Sequence, residues 1–323
     1  KVKLALEQPV EASPFELMHQ RFGRNFVLLG EEHGMRLRTA SIVIIGVGGV
    51  GSWTAEAVAR AGFGRITLID WCDVKRQNVS RQICALESTV GQFKVDVLRS
   101  RLLDINPDCA VVAIPREMTV ENAGELLDSV GGVDVVVDAF DEMPVKAALA
   151  SACRERNITC LVSSLGAATR LDPGMVRVAD ISKTSHCPLA RNFRRALATR
   201  GITSGVCCLY SLEPPRNKSM TSRPHLIEKG EARLQNPEAH WIPHCMGSWV
   251  ALPAIFGVIA AQIAVCSLAP DGTAARELYL KQMGLPTAHA EQPPKRLGKK
   301  RREQLRRRLG PQETASMDQM ASE

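Results

Sequence analysis

The sequence predicts an α/β fold, a doubly wound, mainly parallel sheet with helices on both faces and a less regular C-terminal part. Three observations predict it. Short apolar runs, beginning with Ser41-Ile42-Val43-Ile44-Ile45, alternate with longer helix-like segments, the order that builds βαβ units. The runs carry almost no charge along their length, as strands buried on both faces require. A glycine-rich turn, Gly46 to Gly51, joins the first run to a helix-like segment, the opening unit of a Rossmann-like sheet.

The elements follow in order. Residues 1–18 form a mixed leader with Pro9 and Pro14, and one helical run is read over 15–38. After the first strand and its turn, a helix spans 52–61, and Arg65-Ile66-Thr67-Leu68-Ile69-Asp70 is a second strand with an acid at its end. A helix over 94–105, a strand over 110–114, a helix over 121–130 and the strand 133–138 continue the alternation. A helix over 144–156 leads to the strand 160–164, and further strands are read at 175–181 and 205–212. Residues 214–243 are polar and rich in Pro, Arg and Asn, a long loop. The stretch 248–269 is free of charge; its length suits a bilayer span, but a helix buried in a core or dimer interface is the favoured reading. Residues 19–285 therefore form the folded domain, and 286–323 a basic tail with a disordered composition.

Composition narrows the class. The chain has 323 residues, 45% of them apolar but only 4% aromatic, so aliphatic side chains must fill the core. Its net charge of +7 is local: nine Lys and Arg against Glu303 lie between Lys295 and Arg308. A polyanionic partner is expected at that tail rather than on the nearly neutral body. Ten cysteines without a CxxC pair argue against a disulfide scaffold or a four-cysteine zinc site and for a cytoplasmic compartment. The first residues, Lys1-Val2-Lys3, leave an upstream targeting segment open.

Gly46-Val47-Gly48-Gly49-Val50-Gly51 fits GxGxxG between a strand and a helix, where bare backbone and a helix N-terminus accept phosphate. Asp70, ending the next strand, suits ribose hydroxyls. These features alone fit an NAD-dependent oxidoreductase. Downstream stand Asn78, Arg81-Gln82 and Lys94, a polar and cationic cluster suited to a triphosphate, and Asp138-Ala139-Phe140-Asp141 ends a later strand where an acid can hold Mg²⁺.

Taken in order, GxGGVGS, the strand-end Asp, NxxRQ, VGxxK and DxxD resemble the adenylyltransferase domain of the ubiquitin-activating-like (ThiF-like) superfamily. Arg21-Phe22-Gly23, Ile105-Asn106-Pro107, Lys146-Ala147-Ala148-Leu149, Asp180-Ile181-Ser182-Lys183 and Val206-Cys207-Cys208-Leu209 look most like its tRNA threonylcarbamoyladenosine dehydratases. The resemblance implies ATP and Mg²⁺ as cofactors. Gly46, Gly48, Gly49 and Gly51 would cradle phosphate, Asp70 would bind ribose, and Asn78, Arg81 and Lys94 the triphosphate. Asp138 would belong to the nucleotide site, Asp141 would bind Mg²⁺ and the α-phosphate, and Arg21 would act across a homodimer interface. Cys72, Glu142 and Pro144 depart from the pattern.

The implied reaction is adenylation of the carboxylate of threonylcarbamoyladenosine in tRNA, then cyclising dehydration. Adenylation of the C-terminal glycine of a ubiquitin-like or sulfur-carrier protein is the rival within the fold, and Cys208 and Cys245 are the thiols a sulfur-transfer partner would use. The stretch 248–269 leaves membrane association open, and the tail is a candidate contact for tRNA phosphates.

Overall fold

A computed structural model of the chain describes residues 14–215 and 247–287. Two helices, α1 (Pro14–Leu29) and α2 (Glu31–Thr39), precede the sheet. The single helical run read over 15–38 is thereby corrected. Gly30 sits at φ +88°, a backbone conformation that side chains oppose, so the helix stops and restarts there. Then come β1 (Ser41–Ile45), α3 (Gly51–Ala61), β2 (Arg65–Ile69), α4 (Lys94–Ile105), β3 (Ala110–Ile114), α5 (Ala123–Val130), β4 (Val135–Asp138), α6 (Met143–Glu155) and β5 (Cys160–Ser164). The second half adds β6 (Val176–Asp180), α7 (Pro188–Ala198), β7 (Cys207–Ser211), α8 (Ala251–Ser267) and α9 (Ala274–Met283).

The strands form one sheet in the order β3-β2-β1-β4-β5-β7-β6. All pairings are parallel except that of β6 with β7, so the predicted mainly parallel sheet is what forms. Ile42 of β1 pairs with Ile66 of β2 on one side and Val135 of β4 on the other. The chain winds outward in both directions from β1 and β4, and the crevice beyond their carboxyl ends is where such sheets bind ligands.

Period-two alternation sorts β1 into two apolar layers. Ile42 and Ile44 join Ala55, Val58, Leu98 and Phe256 on one face. Val43 and Ile45 join Leu126, Leu149 and Phe193 on the other. Each such aliphatic side chain, wholly removed from water, contributes about 1.5–3 kcal/mol.

Two helices need comment. The sequence reading passed over α7, whose cationic residues mask a core stripe at Ala190, Phe193 and Leu197, spaced i, i+3, i+7. The charge-free stretch becomes α8, whose Leu252, Phe256, Ala260, Ile263 and Ala264 are buried in the first layer. The helix is thus buried in the core as the favoured reading of 248–269 has it, and among the described residues no helix is long and apolar enough to cross a membrane.

Helix α8 lies directly on α3, the helix that the glycine turn opens. A β-carbon at Gly257 would stand 2.5 Å from the Val50 carbonyl oxygen and 2.6 Å from Trp53 Cβ. The Thr54 hydroxyl donates to the Gly257 carbonyl at 3.1 Å. Gly257→Val is therefore expected to force α8 off α3, at a cost of about 1–3 kcal/mol, read as a lowered thermal midpoint. An unchanged midpoint would show that the two helices part freely.

Candidate active site

The glycine turn is built by close approach. Gly46 has φ +81°, and a β-carbon there would meet the Ala139 carbonyl oxygen at 2.9 Å; one at Gly51 would meet the Gly46 oxygen at 1.9 Å. The turn is tied to its neighbours by Gly46 N–H to Ile69 O at 2.8 Å and Val47 N–H to Asp70 Oδ2 at 2.8 Å. Among the described residues, the amides of Gly48, Gly49 and Val50, just ahead of α3, have no acceptor. Three free donors at a helix N-terminus form an anion cradle.

Asp70 also accepts from Cys72 N–H with Oδ1 at 2.8 Å, so both carboxylate oxygens hold backbone, with further lone pairs left for a ligand. Asn78 centres the next turn: its Oδ1 accepts from Lys75 N–H at 2.9 Å, and its carbonyl accepts from the Arg81 and Gln82 amides at 3.0 Å. Its Nδ2 is the part left to offer. Arg81 lies against Gly49, donates from Nη1 to the Gln77 carbonyl at 3.1 Å, and accepts from Trp53 Nε1 at 3.2 Å. Lys94, the first residue of α4, is docked by its N–H on the Cys72 carbonyl at 3.1 Å. Its side chain is 7% exposed, and among the described residues no carboxylate lies within ion-pair reach. Asp73, beside Cys72, pairs with Lys75 at 2.6 Å, and that ammonium holds its carboxyl below the usual range.

Asp141 lies exposed just past β4, in a segment whose Phe140 Cβ would stand 3.2 Å from a Gly46 β-carbon. Asp138 ends β4, where the sequence reading places it, but its side chain is turned into the core. Fully buried, it takes the Lys146 ammonium on Oδ1 at 2.6 Å and the Ser163 hydroxyl on Oδ2 at 2.8 Å. Burial raises its carboxyl above the usual value, against the pull of Lys146. Lys146 also donates to the Ser164 carbonyl at 3.0 Å and sits 5.0 Å from the Phe140 ring centroid. Asp138 therefore braces β4, β5 and α6 beneath the mouth. Arg21 is remote within one chain. It pairs with Asp108 at 2.9 Å, ahead of β3 and so at the opposite end of the sheet from the glycine turn.

Most of the described cysteines are buried. Cys208 is wholly buried in β7, and burial pushes its thiol well above the ordinary value. Burial likewise lifts Cys84 to about 11 and Cys153 to about 12, keeping both protonated. Cys245 lies outside the described residues, as do most of the loop at 214–243, most of the leader and nearly all of the basic tail.

Sequence reasoning missed three residues of this region as site components. Gln82 faces Gly48, and Pro253 of α8 closes over Gly49. Lys146 was quoted only for resemblance, although an ionisable residue within the apolar run Val145–Ala150 is itself the signal that a buried counter-charge waits nearby. Lys146→Met is expected to strand the Asp138 charge and cost about 3–5 kcal/mol of unfolding free energy, with Asp138→Asn/Lys146→Met recovering part of it. Urea denaturation checks this, and equal stability of the two variants would show that the pair does not couple.

With this geometry, a family model described as the ThiF family matches residues 22–304. The chain is 45% identical over 199 residues to the tRNA threonylcarbamoyladenosine dehydratase of Bacillus subtilis (strain 168), covering 62% of this chain and 77% of that protein. To the protein of the same name in Escherichia coli (strain K12) it is 41% identical over 201 residues, 60% of this chain and 74% of that one. It is similar in structure to E. coli tRNA N6-threonylcarbamoyladenosine dehydratase crystallised with ATP, with TM-score 0.66 and 34% identity over 77% of this chain and 94% of that chain.

Proposed function

The chain belongs to the ThiF family, and on that premise we propose that it is an ATP-dependent enzyme of tRNA modification. It adenylates the carboxylate of threonylcarbamoyladenosine and then closes that group into a ring with loss of water. The observation that carries the reading is the set of uncompensated donors at the switch point. The amides of Gly48, Gly49 and Val50, the Arg81 guanidinium and the buried Lys94 ammonium stand together without carboxylate partners among the described residues. A nicotinamide dinucleotide brings one pyrophosphate diester to such a sheet, and a nucleoside triphosphate brings more charge to neutralise.

The chemistry then needs positioning and charge neutralisation, with no nucleophile from the protein. The substrate carboxylate attacks the α-phosphorus of ATP and pyrophosphate leaves. The carbamoyl nitrogen of the same modification attacks the activated carbonyl carbon, and AMP leaves with the former carboxylate oxygen. Lys94 and Arg81 offset the phosphate charge, the glycine-turn amides hold oxygens, and Asp70 faces the ribose. Mg²⁺ fits the donors present. Asp141 is an exposed carboxylate unpaired among the described residues, and no three-residue metal cluster exists among them, so phosphate oxygens would complete the coordination. When bound, the ion withdraws charge from the phosphates. We further read the protein as a cytoplasmic homodimer. Val27 and Leu28, 90% and 82% exposed on α1, support an interface there, close to Arg21 in sequence.

The deciding experiment is ATP–pyrophosphate exchange with threonylcarbamoyladenosine-bearing tRNA, set beside a small ubiquitin-like protein as acceptor. Exchange that depends on the tRNA is expected; exchange with the protein acceptor alone overturns the reading. Lys94→Ala and Asp141→Ala are each expected to lower pyrophosphate release at least 100-fold, a transition-state loss of about 2.7 kcal/mol, with thermal midpoints unchanged. Full activity in either variant removes that residue from the site.

A further inference from the structure

We propose that the outward face of α7 is a docking surface for the phosphate backbone of the RNA substrate. This rests on the reading that the substrate is a tRNA, and it assigns part of the binding to the folded body. Helix α7 carries Arg191, Arg194 and Arg195 and no acidic residue, and Arg200 follows it. Ala190, Phe193 and Leu197 bury the inner face, which leaves Arg191 and Arg195 exposed one helical turn apart on the outer one. Arg194 is engaged locally, donating to the Thr184 carbonyl at 2.9 Å.

Among the described residues these cations, like Arg24 and Arg38 on α1 and α2, lack a carboxylate partner, and what distinguishes them is that they lie together on, or just past, one helix that carries no acid. Arg60, Arg101, Arg116 and Arg156 each meet a carboxylate. Among the described residues, none lies within ion-pair reach of Arg191, Arg195 or Arg200. Like charges one turn apart on a helix repel. A face that serves only solubility intersperses acids among its cations, and this face has none.

The helix is also fixed where a substrate must pass. Its N-terminal half is anchored at the carboxyl ends of the strands. The Arg170 guanidinium, held by the Gly166 carbonyl at 2.6 Å just past β5, reaches the Cys187 sulfur at 4.0 Å. Phe193 lies 6.0 Å from the ammonium of Lys146, the partner of the last residue of β4. Arg191 thus stands on the rim of the face that carries the glycine turn. A modified base can enter that mouth only if the strand around it is held outside, and a strand offers repeated phosphates to which guanidinium groups bind in forked geometry.

The test uses the full-length chain and tRNA bearing the modification, with affinity measured by fluorescence anisotropy over a range of salt. Arg191→Glu/Arg195→Glu is expected to weaken tRNA binding roughly ten-fold or more and to lower the slope of log K against log salt by about one to two. Its ATP affinity and thermal midpoint should match the wild type. Arg24→Glu/Arg38→Glu, an equal change of charge on α1 and α2, is expected to stay within about two-fold. If the α7 variant binds as tightly as the wild type, or the control loses as much, the docking surface is overturned while the reaction reading stands. A wild-type chain that binds no modified tRNA overturns both, and binding of an acidic protein in its place would reassign the face to that partner.

Discussion

One carboxylate holds the nucleotide end of this molecule in shape. Asp70 leaves the tip of β2 and takes two backbone amides, Val47 from the glycine turn and Cys72 from the segment that crosses toward α4. Among the described residues the Val47 and Cys72 amides find no backbone carbonyl, so the carboxylate serves as the partner that each needs. The glycine turn can sit this low only because Gly46 and Gly51 carry no side chains. Lys94 follows from the same tie, since its own amide rests on the Cys72 carbonyl. The donors that face the mouth are held in place by groups behind them, the usual condition for binding without reorganisation.

Charge is sorted by depth in the same region. The deep pair, Lys146 with Asp138, is closed on itself and satisfied by Ser163 and the Ser164 carbonyl. The shallower cations, Lys94 and Arg81, are left without counter-charge. A paired and bonded ion deep in a core braces the fold, and an unpaired one near water attracts a ligand. Asp138 and Asp141 stand three residues apart, and strand geometry alone separates their environments.

Much of this was legible in the sequence. Helix α4 and strands β1, β3 and β5 lie within the bounds read from apolar periodicity, because β-branched runs and a charge-poor helical face are local signals. The glycine turn was legible for the same reason. What escaped reading was non-local. Lys146 in its apolar run signals a buried counter-charge but does not say which acid supplies it, and nothing in the chain says that Arg21 lies at the far end of the sheet from the glycine turn. Arginines hid α7 because three core residues in eleven are a thin stripe among cations. The break at Gly30 was overlooked because a lone glycine in a helical pattern is often tolerated.

The antiparallel edge strand has a consequence for synthesis. A ribosome delivers β6 before α7 and β7, yet among the described residues β7 is the only neighbour β6 has in the sheet. Until Cys207–Ser211 emerges and slides in beside β5, the chain that has just been made holds a strand with nothing to pair with. The last parallel strand is thus threaded between an assembled sheet and a segment already waiting for it, and closure of that edge falls late in the birth of the protein.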